Sequence, residues 1–174
     1  MAADNDLHEK IEQLKKISLF KEVADNKEAM DEIACLFKTV AYSSGDTVIE
    51  EGDSNGDSLF IIKTGTVEII KKTMQGDPYV VATLSAQDNI FFGEIALLDK
   101  DERSATVKCK TDCEFYVLER NHFIDYGNKH PTVGLVVTRE ISHILCKRLR
   151  KSNIDIITLF DALVEEVERA GGLQ

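Results

Sequence analysis

The amino-acid sequence predicts a mainly β fold with flanking helices: a β-roll, of the jelly-roll or double-stranded β-helix type, between N-terminal helices and a C-terminal helical lid. Two observations predict this fold. Between residues 39 and 119, seven short runs rich in β-branched and aromatic residues alternate with turn residues, and strands at such close spacing are typical of a compact roll or barrel. On either side, apolar residues recur at the period of a helix.

Residues 1–38 are predicted to be helical. Leu7, Ile11 and Leu14 are four and three residues apart, so they share one helical face. After the capping-type residues Asp25 and Asn26, a second set of apolar residues repeats the pattern at Met30, Ile33, Ala34 and Phe37. Each helix therefore has one face to bury.

Residues 39–119 are predicted to form the roll. The strand-like runs are TVAYS, TVIE, SLFIIKT, TVEIIKK, YVVATL, SATVKC and CEFYVLE. The turns that separate them include SSGD, EGDSNGD, KTG and MQGDP. The run from Asp53, DSNGDSLFIIKT, begins like a calcium-binding EF-hand loop. It carries Ser58 where that loop needs glycine and Thr64 where it needs a bidentate glutamate, which predicts a polar hairpin turn.

Residues 120–174 return to helix. A short helix after Arg120 is predicted to be interrupted by Gly127 and Pro131, which we interpret as a hinge. A longer apolar pattern of about six turns follows, and the tail repeats it until Gly171. A helix that long and that apolar needs a partner, so homodimerisation along residues 132–153 is our hypothesis.

Composition limits the classes of partner. The formal net charge is −10, from 31 acidic and 21 basic residues, so the field of the whole chain repels DNA and anionic membranes. No apolar run approaches the ~20 residues of a membrane span. The four scattered cysteines are interpreted as reduced and mostly buried thiols, and the polar, acidic N-terminus lacks the pattern of a signal peptide. We therefore expect a cytoplasmic protein.

The stretch FFGEIALLDKDERSAT, residues 91–106, is the strongest candidate site. A strand entering at Phe91 would turn at Gly93 and start a short helix at Glu94, whose free N–H groups attract an anion. Arg103 could return across the turn to the same anion through a charge-assisted hydrogen bond of ~1.5–3 kcal/mol. Glu94 would repel phosphate, but its carboxylate suits a sugar hydroxyl. Together these features describe a nucleotide site.

The stretch FGEIALLDKDERSATV resembles the phosphate-binding cassette of the cyclic nucleotide-binding domain family. That pattern is FGE, a small-apolar run, and Arg-small-Ala with eight residues between Glu and Arg, and it fits here without a gap. The resemblance extends to the turns in GDTVIEEGDSNGDSLFIIKTGTVEI and to the segment LKKISLFKEV, so that it spans about residues 10–153.

The resemblance implies a role for each matching residue. Glu94 would accept the ribose 2′-OH, Arg103 would pair with the exocyclic phosphate oxygen, and the backbone N–H groups of Ala96, Ser104 and Ala105 would complete the phosphate cradle. In the bacterial transcription-factor branch a polar pair at the end of the long helix reaches the purine. The full predicted ligand-binding set is Phe92, Gly93, Glu94, Ile95, Ala96, Arg103, Ser104, Ala105, Ser152 and Asn153.

The base preference and the two C-terminal residues stay open at this point. Ser104 follows the arginine, where cAMP-binding members often carry Ala or Ser and cGMP-preferring members often carry Thr, which favours cAMP weakly. Ser152 and Asn153 lie in RLRKSN, where the alternative to purine contact is the solvated end of a helix.

Two departures from the family pattern are visible. The approach LSAQDNIFFGE lacks the usual Gly-Asp before FGE and is slightly longer, so the strand entering the pocket is expected to be displaced. About twenty residues follow Asn153, too few for the helix-turn-helix unit of the DNA-reading branch. We therefore expect no DNA partner.

Other site chemistries have little support. A cupin-like metal enzyme would need histidines in the roll, and His8, His122, His130 and His143 all lie outside it. Cys109 and Cys113 are interpreted as two buried thiols. We expect no catalysis, no metal and no cofactor beyond the ligand itself.

The prediction is a cyclic nucleotide sensor that rearranges the helices after Arg120 and acts on a separate effector protein. The alternatives are a ligand-free interaction module with the same fold and a regulatory subunit.

Overall fold

The computed structural model describes residues 2–171, and the chain forms two compact units, residues 1–138 and 139–174. The helices are α1 (Ala2–Leu14), α2 (Lys27–Leu36), α3 (Ile95–Leu98), α4 (Arg120–Lys129) and α5 (Pro131–Gly171), with 3-10 turns at Ser18–Val23 and Ala86–Asp88. The strands are β1 (Lys38–Tyr42), β2 (Thr47–Ile49), β3 (Ser58–Thr64), β4 (Thr66–Lys72), β5 (Pro78–Ser85), β6 (Phe91–Phe92), β7 (Thr106–Cys109) and β8 (Cys113–Glu119).

The strands form two four-stranded antiparallel sheets, in the orders β1-β8-β3-β6 and β2-β7-β4-β5. One apolar cluster joins them. It contains Ile49, Phe60, Ile62, Val67, Phe92, Val107, Cys109, Cys113, Phe115 and Val117. Because these side chains come from both sheets, the sheets share this core, and the predicted β-roll with flanking helices is confirmed.

The N-terminal helices cover one sheet. The Asn26 side chain accepts a hydrogen bond from the Ala29 N–H and caps α2, as the sequence predicts. Gln13 donates a hydrogen bond from its Nε2 to the backbone oxygen of Ile62 in β3 at 2.8 Å, which ties α1 to the sheet. Met30 and Ile33 are buried. The sequence pattern did not reveal that Ser18–Val23 forms a separate 3-10 turn between the helices.

The predicted interruption of α4 at Gly127 is wrong. The helix continues through Gly127 to Lys129. Only His130 interrupts the helical backbone, and α5 begins at the next residue, Pro131. A Cβ on Gly134 would lie 2.8 Å from the Cα of Gly127. Gly127 is therefore a point of close helix contact rather than a helix breaker.

The expectation that most cysteines are buried holds for two of the four. Cys109 and Cys113 are buried, whereas Cys35 and Cys146 are exposed, and all four are free thiols. Cys35 lies on α2 and Cys146 on α5, and in such helices only three or four residues in every two turns face the core. Within residues 2–171, no helix is long and apolar enough to cross a membrane.

Candidate functional site

The cassette is anchored in the core by the strand that precedes it. Phe92 is buried and stacks on Phe60, with ring centroids 5.2 Å apart and planes at 5°, and its edge meets Phe115 at 5.7 Å. The Phe92 side chain thus belongs to the core, and only its backbone is left to line a ligand site. The longer approach to this strand contains the 3-10 turn, which a capping box between Ser85 and Asp88 begins.

Gly93 makes the turn between β6 and α3, and no other residue fits there without strain. Its φ is +77°, a conformation that L side chains rarely adopt. A Cβ at this position would also lie 2.8 Å from the backbone oxygen of Ser58 and 3.0 Å from the Nη1 of Arg103. The glycine predicted from the FGE pattern is therefore required both by its backbone conformation and by lack of space.

Arg103 is held against this turn by backbone carbonyl groups. Its Nη2 donates to the oxygen of Ser58 at 2.9 Å, and its Nη1 donates to the oxygen of Gly93 at 3.3 Å. The side chain is only 9% exposed. These two bonds fix the plane of a guanidinium that carries five N–H donors in total, and they place it beside the start of the cassette.

The loop between β2 and β3 completes the setting of Arg103. The Arg103 N–H donates to the oxygen of Asp53, and the Gly52 N–H donates to the oxygen of Arg103, both at 2.9 Å. A Cβ on Gly56 would lie 2.4 Å from the Arg103 Nε, so this glycine leaves the space that the guanidinium fills. Sequence reasoning assigned EGDSNGD to a turn only; its paired glycines were the signal for this second role.

Burial and the neighbouring carboxylates have opposite effects on the pKa of Arg103. Burial lowers the pKa of Arg103 from its ordinary value, while the nearby carboxylates of Asp53, Asp57 and Glu94 act in the opposite direction. Arginine remains protonated in proteins, so the site holds a permanent, partly desolvated positive charge. Such a charge is available to a bound anion at contact distance, whatever the net charge of the chain.

Glu94 and the short helix α3 follow directly. Glu94 is 1% exposed and stands at the N-cap position of α3, which is a single turn. Ala96 is buried, Ile95 is exposed, and the Ala96 N–H donates to the oxygen of Gly93 at 3.2 Å. The N–H group that the resemblance assigns to the phosphate cradle therefore has a backbone acceptor in this structure.

Ser104 and Ala105 lead from Arg103 into β7. Ser104 is exposed and Ala105 is half-buried. The backbone oxygen of Ser104 accepts a hydrogen bond from the Lys71 Nζ, and Lys71 also pairs with Glu51 at 3.2 Å. The segment is thus fastened to β4 while its side chains stay small.

The remaining predicted ligand residues belong to the second compact unit. Ser152 and Asn153 are exposed residues of α5 in the unit formed by residues 139–174, so their assignment to the purine stays a prediction. In the part of the chain that the structure describes, no three His, Cys, Asp or Glu side chains form a group that could hold a metal ion.

Comparison with known proteins yields one family. The family model described as "Cyclic nucleotide-binding domain" matches residues 39–130. The cAMP-dependent protein kinase regulatory subunit of Aspergillus fumigatus is 37% identical over 91 residues, which are 52% of this chain and 21% of that protein. The cGMP-dependent protein kinase of Eimeria tenella is 33% identical over 120 residues, 68% of this chain and 11% of that protein. The chain thus spans about a fifth or less of the length of these relatives.

Solved structures agree with the sequence comparison. The crystal structure of a cyclic nucleotide-binding domain from Methylobacillus flagellatus superimposes with a TM-score of 0.73 at 27% identity. The match covers 89% of this chain and 84% of that one. The likeness therefore extends beyond the segment that the family model matches.

Proposed function

We infer the function from one premise: this chain belongs to the cyclic nucleotide-binding domain family. We propose that it is a regulatory receiver, which binds a cyclic nucleotide at residues 92–105 and responds by changing the arrangement of the helices after Arg120. The observation that carries the proposal is the buried Glu94 and Arg103 on either side of α3, with Arg103 fixed by two backbone carbonyls.

The ligand chemistry follows from the two charges. Arg103 suits the cyclic phosphate, because a guanidinium binds phosphate oxygens with charge-assisted hydrogen bonds. Glu94 suits the ribose 2′-OH, because an ionised carboxylate only accepts hydrogen bonds. The backbone N–H groups of Ala96, Ser104 and Ala105 are proposed to contact the phosphate, and that of Ala96 would then exchange or share its bond to Gly93.

cAMP is the ligand that we favour, with cGMP as the second candidate. The relatives include both a cAMP-dependent and a cGMP-dependent kinase. A serine after the arginine is common in cAMP-binding members of the family, so Ser104 favours cAMP weakly. Its side chain is exposed and carries a hydroxyl, which could also contact the amino group of guanine. Contact of Ser152 and Asn153 with the purine is part of the same proposal.

A physical connection between the cassette and the hinge supports the response. A cavity of about 380 Å³ lies between α3, α4 and the start of α5. Leu97, Phe123 and Leu135 line it, one from each element. A shift of the one-turn helix α3 on ligand binding would change the packing of this cavity, and a change in packing is a means by which a ligand shifts a conformational equilibrium.

The decisive experiment is isothermal titration of the purified chain with cAMP and with cGMP. Wild-type protein is expected to bind at least one of them, and Arg103→Glu is expected to lose binding by at least about 100-fold, since it replaces attraction to phosphate by repulsion. The matched control is Lys100→Glu, which makes the same change of charge at an exposed residue beside the cassette.

Both variants need an unchanged thermal unfolding midpoint for the comparison to count. Glu94→Gln, which keeps the size of the side chain and removes its charge, is the second test if Arg103→Glu unfolds. Absence of heat with both nucleotides on folded wild-type protein would contradict the proposal and would favour a ligand-free interaction module.

We propose a non-enzymatic, cytoplasmic role with a separate effector protein as the partner, as a kinase regulatory subunit would have. The homodimer along residues 132–153 also stays a prediction. Val137 and Ile141 in that segment are buried within one chain, so it has less free apolar surface than the sequence suggests.

A further inference from the structure

The second half of α5 carries a large set of exposed apolar side chains. They are Leu149, Ile154, Ile156, Ile157, Leu159, Phe160, Leu163, Val164 and Val167, with exposed fractions between 38% and 70%. A contiguous apolar surface of this kind marks an interaction site in a water-soluble protein. It lies mainly beyond the segment 132–153 to which sequence reasoning assigned self-association.

Five of these nine side chains follow the seven-residue repeat of a coiled coil. With Asn153 at an a position, the a positions are Cys146, Asn153, Phe160 and Val167, and the d positions are Leu149, Ile156, Leu163 and Ala170. Ile157, Leu159 and Val164 occupy the flanking e and g positions and widen the apolar face. Ile154 falls outside this face.

The charges of the same helix are segregated along its length. Residues 147–151 contain four basic side chains, Lys147, Arg148, Arg150 and Lys151. Residues 161–169 contain Asp161, Glu165, Glu166 and Glu168 with one basic residue, Arg169, which pairs with Glu165 and Glu166, so this segment keeps a net negative charge. A parallel pair of these helices would place basic against basic and acidic against acidic residues. An antiparallel pair would place each basic segment against an acidic one, and such complementarity selects the orientation of a pair.

We propose that residues 146–170 form an antiparallel homodimeric coiled coil with a two-fold axis close to residue 158. In this register Leu149 meets Val167 of the second copy, Ile156 meets Phe160, and Asn153 meets Leu163. The members of each pair are equally distant from residue 158. Ile157 and Leu159 lie one residue on either side of the two-fold axis. Each therefore lies close to the same residue of the second copy, Ile157 to Ile157 and Leu159 to Leu159, as an isologous interface requires.

The apolar surface is large enough for a stable dimer. A large apolar side chain gains ~1.5–3 kcal/mol on burial at about 25 cal/mol per Å², which corresponds to roughly 60–120 Å² each. The eight exposed side chains on this face therefore offer roughly 500–1,000 Å² per chain. Stable interfaces bury about 800 Å² on each partner.

The proposal gives Asn153 a role in the seam. A polar residue at an a position lowers the stability of a coiled coil, and here Asn153 faces Leu163 of the second copy, whose side chain offers the amide no hydrogen-bond partner. Asn153→Leu is therefore expected to tighten the dimer several-fold. If Asn153 instead contacts the purine, the same substitution would weaken cyclic nucleotide binding and leave the dimer unchanged.

The association state tests the surface, with two matched variants of the full chain. Sedimentation from 1 to 100 µM, without nucleotide, is expected to give a dimer for wild type and a monomer for Ile156→Asp. Ile154→Asp introduces the same charge at a residue that is equally exposed, 63% against 60%, but lies outside the seam, and it is expected to remain dimeric. A monomeric wild type, or a dimeric Ile156→Asp, would overturn the proposal.

Disulfide cross-linking tests the orientation. In a Cys35→Ser background, Ala170→Cys is expected to cross-link to Cys146 of the second copy under mild oxidation, and peptide mass spectrometry identifies the linked residues. The two positions are about 36 Å apart on one helix at 1.5 Å per residue, so they cannot pair within a chain. Links of 146 to 146 or 170 to 170 alone, or no link, would overturn the antiparallel register. Neither test depends on the proposed nucleotide binding.

Discussion

The cassette and the second half of α5 both depart from the usual rule that charged side chains are exposed and apolar ones are buried. In the cassette, the charged side chains of Glu94 and Arg103 are buried. In α5, from Leu149 to Val167, large apolar side chains are exposed. Both arrangements cost free energy in an isolated chain. The two proposals made above explain this difference by two kinds of partner, a small anion for the first region and a second copy of the chain for the second.

The cost is compensated differently in the two regions. Arg103 is compensated within the chain by two carbonyl groups and by nearby carboxylates, so its region folds without the ligand. The apolar face of α5 is compensated only when a second surface covers it. The first region should therefore be sensitive to substitution in the monomer, and the second only in the dimer.

The largest expected difference is between Phe115, a core residue of β8 that packs against Phe92 of the cassette, and Phe160 of α5. Phe115→Ala should destabilise the protein by about 3–5 kcal/mol, because Phe115 meets Tyr42, Phe60 and Phe92 at centroid distances of 5.7, 6.0 and 5.7 Å. Phe160→Ala, at a residue that is 63% exposed, should change the unfolding free energy by less than about 0.5 kcal/mol. Urea unfolding of both variants in an Ile156→Asp background, which is expected to be monomeric, checks this; equal losses would remove the contrast.

Glycine substitutions sharpen the comparison within the roll. Gly93→Ala is strained in two ways, by the positive φ of +77° and by a Cβ that would lie 2.8 Å from the backbone oxygen of Ser58. Gly45→Ala is strained only by its φ of +91°, because a Cβ there would have no atom within 4 Å. Gly45→Ala should cost roughly 1–2 kcal/mol and leave ligand binding unchanged. Gly93→Ala should cost more and weaken cyclic nucleotide binding by at least about tenfold. Thermal unfolding and titration separate the two effects, and equal binding by both variants would contradict them.

High pH should destabilise the roll and not the helix after residue 139, because all four tyrosines precede that residue. Burial raises the pKa of Tyr116 to about 12, and burial together with a hydrogen bond to Glu32 raises the pKa of Tyr126 to about 12. Each raised pKa means that the folded state holds its proton more tightly than the unfolded state, whose tyrosines titrate near 10. Their contribution is complete below pH 10 and is lost as the pH rises through 12.

Replacing both tyrosines, Tyr116→Phe with Tyr126→Phe, should flatten this loss of stability between pH 10 and 12. Unfolding by denaturant at several pH values measures it. Tyr116→Phe alone should cost little at neutral pH, because the buried Tyr116 hydroxyl has no hydrogen-bond partner among the described residues. An unchanged slope in the double variant would assign the alkaline loss to other groups.

The smallest expected effect is on the choice of base. Ser104→Thr should raise the affinity for cGMP relative to cAMP by a few-fold, since cGMP-preferring members of the family often carry threonine at this position, and it should leave stability unchanged at this exposed residue. Competition titrations with the two nucleotides give the ratio. A fall in the cGMP-to-cAMP ratio would contradict the role assigned to the hydroxyl.

The strands and most helices were predictable because their signals are local. Alternating β-branched residues and glycine turns fixed seven of the eight strands, and the cap at Asn26 fixed the start of α2. Local signals failed where packing decided the outcome. Gly127 looks like a breaker in the sequence, yet it is tolerated inside α4 because Gly134 approaches it closely.

The candidate site divides in the same way. The spacing between Glu94 and Arg103, and the need for glycine at Gly93, are properties of the sequence and were predicted from it. The setting of Arg103 was not, because it depends on carbonyl groups of Gly93 and Ser58 and on the space at Gly56, which lie 10, 45 and 47 residues away along the chain.

By itself, then, the sequence determined most of the elements, the cassette and the seven-residue repeat of α5, because each depends on residues close together along the chain. Only the tertiary structure decided which charges are buried and which apolar residues remain exposed. Phe92 and Phe160 illustrate the reason: both are phenylalanines in apolar patterns, but one is 5% exposed and the other 63%. Burial depends on contacts between distant segments, and no local pattern specifies those contacts.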